Sequence, residues 1–87
     1  HEMTHVLQHC VNVQRGTHRD TPIIQDTNEL AELVNTHVSS DTVDFIKAVY
    51  PREKWLGEFE ANYVENTFTA EQLVGLFYEF ECQHLFR

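Results

Sequence analysis

The chain has 87 residues, 41% of them hydrophobic, so it is long enough for one small folded domain and too apolar for a disordered segment. Its 14 acidic and 6 basic residues give a formal net charge of −8, which excludes the basic face that nucleic-acid binding requires. No apolar run reaches the roughly 18 residues that a membrane span needs. We therefore expect neither nucleic acid nor a membrane among the partners.

The first predicted helix covers residues 1–15. Its apolar residues recur mainly at spacings of three and four, the period of one helix face. Gly16 is a typical signal for the end of a helix. A polar loop follows over residues 16–26, where Pro22 disfavours helix and Ile23 and Ile24 are predicted to anchor the loop to the core.

Four further helices are predicted, at 27–37, 41–50, 51–66 and 69–86. Pro51 suits the first turn of a helix because its missing N–H is not needed there, and Thr69 with Gln72 has the pattern of a capping box. The last helix is apolar over much of its circumference, which predicts a central position or cover by a partner. The sequence thus predicts an all-α chain of about five helices, forming a single domain or domain fragment over 1–87.

The two cysteines, Cys10 and Cys82, lie far apart in the sequence. They allow one disulfide bond, but free cysteines are also among the most buried residue types. We favour two buried free thiols in a reducing compartment, and hence a cytoplasmic protein.

The strongest functional signal is the segment His1-Glu2-Met3-Thr4-His5, which has the form HExxH. Residues four apart lie on the same face of a helix, so His1 and His5 present two imidazoles to one point, and zinc favours nitrogen ligands of this kind. Glu2 is placed to deprotonate a zinc-activated water as a general base. The motif therefore predicts zinc as cofactor, His1 and His5 as ligands, and Glu2 as the catalytic residue.

A second motif, Glu58-Phe59-Glu60-Ala61-Asn62, falls on the predicted fourth helix. HExxH followed by ExxAN resembles the compact bacterial ImmA/IrrE-type metallopeptidases, within the wider Glu-zincin group that includes thermolysin. The resemblance implies that Glu58 is the third zinc ligand and that the chain is the helical part of a zincin-like α+β domain. Asn62 is then expected to fix the free N–H of a ligand histidine, as partners of metal ligands do.

The spacing between the motifs departs from the compact members of that family. His5 and Glu58 are 58 − 5 = 53 residues apart, and no segment resembles the sheet that binds substrate in the family. The sheet would have to precede His1. We therefore expect the chain to be part of a longer parent protein.

Other ligand sets remain open from the sequence alone. Glu60 is the alternative third ligand. His9 lies one turn beyond His5, which is too far along a straight helix for one tetrahedral site. Tyr50 and Tyr63 suit either a hydrogen bond to a reaction oxyanion or, as we favour, packing in the core or its rim.

The favoured function is a zinc-dependent metallopeptidase acting on a peptide or protein substrate. The alternative is a non-enzymatic helical subunit that joins a larger assembly through its apolar C-terminal helix and carries a degenerate or coincidental HExxH. A third hypothesis, an acidic mimic of DNA, would need Asp and Glu concentrated on one face.

Overall fold

The computed structural model describes residues 2–86, the side chain of Phe86 excepted. Within that part all of the regular secondary structure is helical, as predicted, with five α-helices and no strand. The α-helices are α1 (Glu2–Arg15), α2 (Thr27–His37), α3 (Ser40–Val49), α4 (Trp55–Thr67) and α5 (Ala70–Glu79). Short 3-10 helices lie at Arg52–Lys54 and Gln83–Phe86.

Side-chain caps explain where three of the helices begin. The carboxylate of Asp26 accepts hydrogen bonds from two amides in the first turn of α2, and the hydroxyl of Ser39 accepts one from the first turn of α3. Thr69 and Gln72 form the predicted capping box at the start of α5. Each cap satisfies an amide that has no partner inside its own helix.

The predicted single helix over 51–66 is interrupted at its start. Pro51 has extended backbone and precedes the 3-10 turn, and α4 begins only at Trp55. The amide of Lys54 donates to the carbonyl of Pro51 at 2.9 Å, and the indole N–H of Trp55 donates to the carbonyl of Tyr50 at 2.9 Å. These bonds hold a tight turn in the place where the sequence suggested the first turn of an α-helix.

The predicted last helix, 69–86, is also too long, because α5 ends at Glu79. Glu81 has a φ of 59°, in the left-handed region, and the amide of Cys82 donates to the carbonyl of Phe77 at 2.7 Å. This is the arrangement in which a left-handed residue closes a helix, a position usually taken by glycine. The turn directs Cys82 back towards α1.

The structure has two apolar cores, and α4 packs against α1, α2 and α3. The first core contains buried residues of α1, of α5 and of the segment after α5, namely Leu7, Cys10, Val11, Phe77 and Cys82. The second contains Leu30, Val34 and Val38. The loop before α2 joins them as predicted, because Ile23 packs against the first core and Ile24 against the second.

Cys10 and Cys82 form a disulfide bond, with their Cα atoms 6.3 Å apart. The expectation of two free thiols is therefore wrong. The local sequence around each cysteine does not reveal the disulfide, because the bond depends on the turn at Glu81 that brings Cys82 to α1. Disulfides persist in oxidising compartments and are rare in the cytosol, so the bond favours an oxidising compartment over the cytoplasm.

In the described part of the chain, no helix is both long enough and apolar enough to cross a membrane.

Candidate metal centre

The packing of α1 against α4 brings together two of the side chains that the motifs single out. Nε2 of His5 lies 3.0 Å from Oε2 of Glu58. The His5 side chain is 37% exposed and the Glu58 side chain 10% exposed. The pair therefore joins residues 53 apart in sequence at the edge of the helix interface, within reach of solvent.

The other ring nitrogen of His5 contacts Gln8, one turn further along α1. Nδ1 of His5 lies 2.8 Å from Oε1 of Gln8. Nε2 of Gln8 donates to the main-chain carbonyl of Gly57 at 3.0 Å and to Oε1 of Glu60 at 2.9 Å. Gln8 is 4% exposed, so this amide forms a buried bridge between α1 and α4 behind the His5–Glu58 pair.

Glu60, the alternative third ligand, is 1% exposed, and its carboxylate is held by hydrogen bonds within the protein. Its two carboxylate oxygens accept hydrogen bonds from the amides of Ile23 and Ile24, both at 2.8 Å, as well as from Gln8. Burial raises the pKa of Glu60, while the hydrogen bonds from Ile24, Gln8 and Ile23 and the charge of Arg15 oppose that rise. The carboxylate thus fixes the loop before α2 against α4.

Asn62, predicted to hold a ligand histidine, forms a bond within its own helix. Its side-chain amide donates to the main-chain carbonyl of Glu58 at 2.9 Å. The contact with the ring nitrogen of His5 comes from Gln8 instead. The sequence analysis missed Gln8, although its position three residues after His5 on a helix was an available signal.

The remaining motif residues lie at the start of α1. Glu2 is the first residue of α1 and is exposed, while His1 lies outside the described residues. Among residues 2–86, no group of three or more His, Cys, Asp or Glu side chains is arranged to hold a metal ion. Of the predicted site residues, the structure brings together His5 and Glu58.

A cleft of about 230 Å³ opens beside this pair, lined by His5, Gln8, Arg19, Asp20, Lys54, Gly57 and Glu58. The loop that forms its outer wall is fixed by the buried side chain of Asn12, which donates to the carbonyls of Arg19 and Thr21. The loop approaches α4 closely at Gly57, where an added Cβ would lie 3.3 Å from the carbonyl oxygen of Asp20. A small residue at this position keeps the cleft narrow and its wall fixed.

Neither Tyr50 nor Tyr63 lines that cleft. The ring of Tyr63 packs against the rings of His37 and Phe68, with centroids 5.5 and 6.0 Å away.

The sequence matches no protein-family model, no curated protein and no solved structure. The resemblance to Glu-zincins therefore rests on the two motifs alone.

Proposed function

We propose that the chain is the metal-binding part of a zinc-dependent peptidase of the Glu-zincin type. His1, His5 and Glu58 are the proposed ligands, and Glu2 is the proposed general base. The observation that carries the proposal is the 3.0 Å separation between Nε2 of His5 and Oε2 of Glu58.

The chemistry of this pair fits zinc. An imidazole nitrogen and a carboxylate oxygen are two of the donors that zinc accepts, and two ligand atoms of a tetrahedral ion lie roughly 3.3 Å apart at the usual bond lengths. The observed separation is close to that value. An ion pair without metal has a similar distance, so the metal must be tested directly.

The roles proposed for the protein's own residues follow from their positions. Bound zinc would supply a Lewis acid and a water of lowered pKa. Glu2, exposed on the same helix as His5, would accept the proton of that water. The cleft beside Glu58, with its fixed outer wall, would receive the substrate peptide.

The test is peptide hydrolysis by the zinc-loaded parent protein and its Glu2→Gln variant. Glu29→Gln is a matched control, because Glu29 is also an exposed glutamate in the first turn of a helix. We expect Glu2→Gln to lose hydrolysis while zinc content is unchanged, and Glu29→Gln to keep both. Equal hydrolysis by all three proteins would remove Glu2 from the mechanism.

The second candidate, a non-enzymatic helical subunit, is favoured by the surface of α5. Val74 is 40% and Tyr78 60% exposed there, and an exposed apolar surface is typical of an interaction site. If assembly is the function, Val74→Asp shifts the parent protein to a smaller species in size-exclusion chromatography, whereas Glu2→Gln leaves the assembly intact. If the protein is a peptidase that does not assemble, Glu2→Gln loses hydrolysis and Val74→Asp leaves the size of the protein unchanged.

A further inference from the structure

The side-chain amide of Gln8 can be oriented in only one way in this structure. Its NH₂ group donates to two acceptors, the carbonyl of Gly57 and the carboxylate of Glu60. Reversal of the amide would place its oxygen against both acceptors and lose two buried hydrogen bonds, each of which is costly to leave unmade. The oxygen of Gln8 must therefore point towards Nδ1 of His5.

This orientation determines which nitrogen of His5 carries a proton. An amide oxygen only accepts hydrogen bonds, so Nδ1 must donate to it. When the ring is neutral, the lone pair is then on Nε2, the nitrogen that faces Glu58. A lone pair and a carboxylate at 3.0 Å repel each other unless a cation or a proton lies between them.

We infer that Gln8 is a positioning residue that fixes the Nδ1–H tautomer of His5 and so presents Nε2 to a metal ion shared with Glu58. The metal part of this inference rests on the proposed function, whereas the tautomer part does not. A partner on the outer nitrogen of a ligand histidine sets its tautomer and ring orientation in this way.

Glu60 gives this arrangement its rigidity. The amides of Ile23 and Ile24 hold its two oxygens, and one of those oxygens holds the NH₂ group of Gln8. The series of hydrogen bonds therefore runs from the loop before α2, through α4, to the ring of His5. Its buried side chains, Gln8 and Glu60, lie on α1 and α4, so the helices hold them in place.

Three variants separate positioning from packing. Gln8→Met keeps the length of the side chain but forms none of its hydrogen bonds. Gln8→Glu keeps an acceptor for Nδ1 of His5 but loses the donor to Gly57 and to Glu60, and it places a second carboxyl group beside Glu60. Gln14→Met is the matched control, because Gln14 lies on α1 and its amide donates to the carbonyl of Phe80, away from the site.

The first measurement is the ring ¹⁵N chemical shift of His5 in the metal-free protein, with the ring neutral and the signal assigned by its loss in His5→Ala. We expect the Nδ1–H tautomer in the wild type, Gln8→Glu and Gln14→Met, and a shift towards the Nε2–H tautomer in Gln8→Met. Circular dichroism shows whether each variant is folded. If Gln8→Met does not fold, the tautomer of His5 in Gln8→Glu tests the inference. Retention of the Nδ1–H tautomer by folded Gln8→Met, or its loss in folded Gln8→Glu, would overturn the inference.

The second measurement is zinc affinity by competition with a chelator. Gln8→Met should bind zinc about 10- to 100-fold more weakly than the wild type, and Gln14→Met should bind it equally well. Unchanged affinity in Gln8→Met would overturn the metal part of the inference. Absence of zinc binding by the wild type would instead contradict the proposed function, while the ¹⁵N shifts would still decide the role of Gln8.

Discussion

Two faces of α1 are attached to the rest of the molecule by different kinds of interaction. One face carries His5 and Gln8, three residues apart, and meets α4 through buried polar groups. The other face carries Leu7, Cys10 and Val11, which pack in an apolar core, and Cys10 also joins the C-terminal segment through the disulfide. Apolar packing tolerates small adjustments at modest cost, but a buried polar network must satisfy every member. The polar face is therefore the part in which single substitutions should affect both stability and the site.

The largest effect is expected for Glu60→Ala. This change leaves the amides of Ile23 and Ile24 and the NH₂ group of Gln8 without their acceptor in a buried place. The free energy of unfolding should fall by about 3–5 kcal/mol, measured by urea denaturation. Glu32→Ala, at an exposed position of α2, should change it by less than about 0.5 kcal/mol. Similar small effects for both variants would mean that the network contributes little.

Removal of the disulfide should have the next largest effect and should spare the site. The double variant Cys10→Ala/Cys82→Ala loses a cross-link between positions 72 apart, which should cost about 2–4 kcal/mol of unfolding free energy. Zinc affinity should stay at the wild-type value, because among the described residues the hydrogen bonds of Gln8 and Glu60 involve neither cysteine. A parallel loss of zinc affinity would show that the two faces of α1 are not independent.

The polar contact between α1 and α4 should also give the protein a characteristic pH dependence. Burial raises the pKa of Glu60 above its ordinary value of 4.5, so the folded state binds this proton more tightly than the unfolded state does. The resulting stability is fully present below pH 4.5 and is lost as the pH rises through the raised pKa. Glu60→Gln cannot titrate, so its unfolding free energy should fall less than that of the wild type over this window. If the difference in unfolding free energy between the two proteins does not change with pH, the raised pKa of Glu60 is contradicted.

The smallest predicted effect is a gain of stability in α5. Gly75 lies inside this helix, and a Cβ added there would meet no other atom within 4 Å. Gly75→Ala should therefore raise the unfolding free energy by about 0.5–1 kcal/mol through helix propensity. Gly16→Ala is the opposing control. Gly16 has a φ of +70°, which an alanine rarely adopts, so this variant should have a lower unfolding free energy than the wild type. Thermal denaturation of both variants checks the sign of each effect.

The ends of α1 and α5 show how far local sequence signals predict the fold. α1 ends at Arg15 and is followed by Gly16 in the left-handed region, and the glycine marked that end in the sequence. α5 ends with the same backbone turn, but the left-handed residue there is Glu81. Nothing in the local pattern distinguishes this glutamate from a helical one. The turn is favoured by tertiary structure, since it brings Cys82 into the core and to the disulfide.

The candidate site shows the same division between local and tertiary information. The motifs pointed to His5 and Glu58, and the structure brings these two side chains together. Gln8 was missed because a glutamine on an amphipathic helix has the pattern of a surface residue. Its burial depends on acceptors supplied by Gly57 and Glu60, which lie 49 and 52 residues further along the chain.

Zinc titration of the purified protein tests the central claim most directly. The variants are His5→Ala and Glu58→Ala, with Glu71→Ala as a control because Glu71, like Glu58, is an acidic residue in the first turn of its helix. We predict one zinc ion per wild-type chain, the same stoichiometry and affinity in Glu71→Ala, and loss of tight binding in the other two. Tight zinc binding that survives both His5→Ala and Glu58→Ala, or a wild type that binds no zinc, would contradict the account.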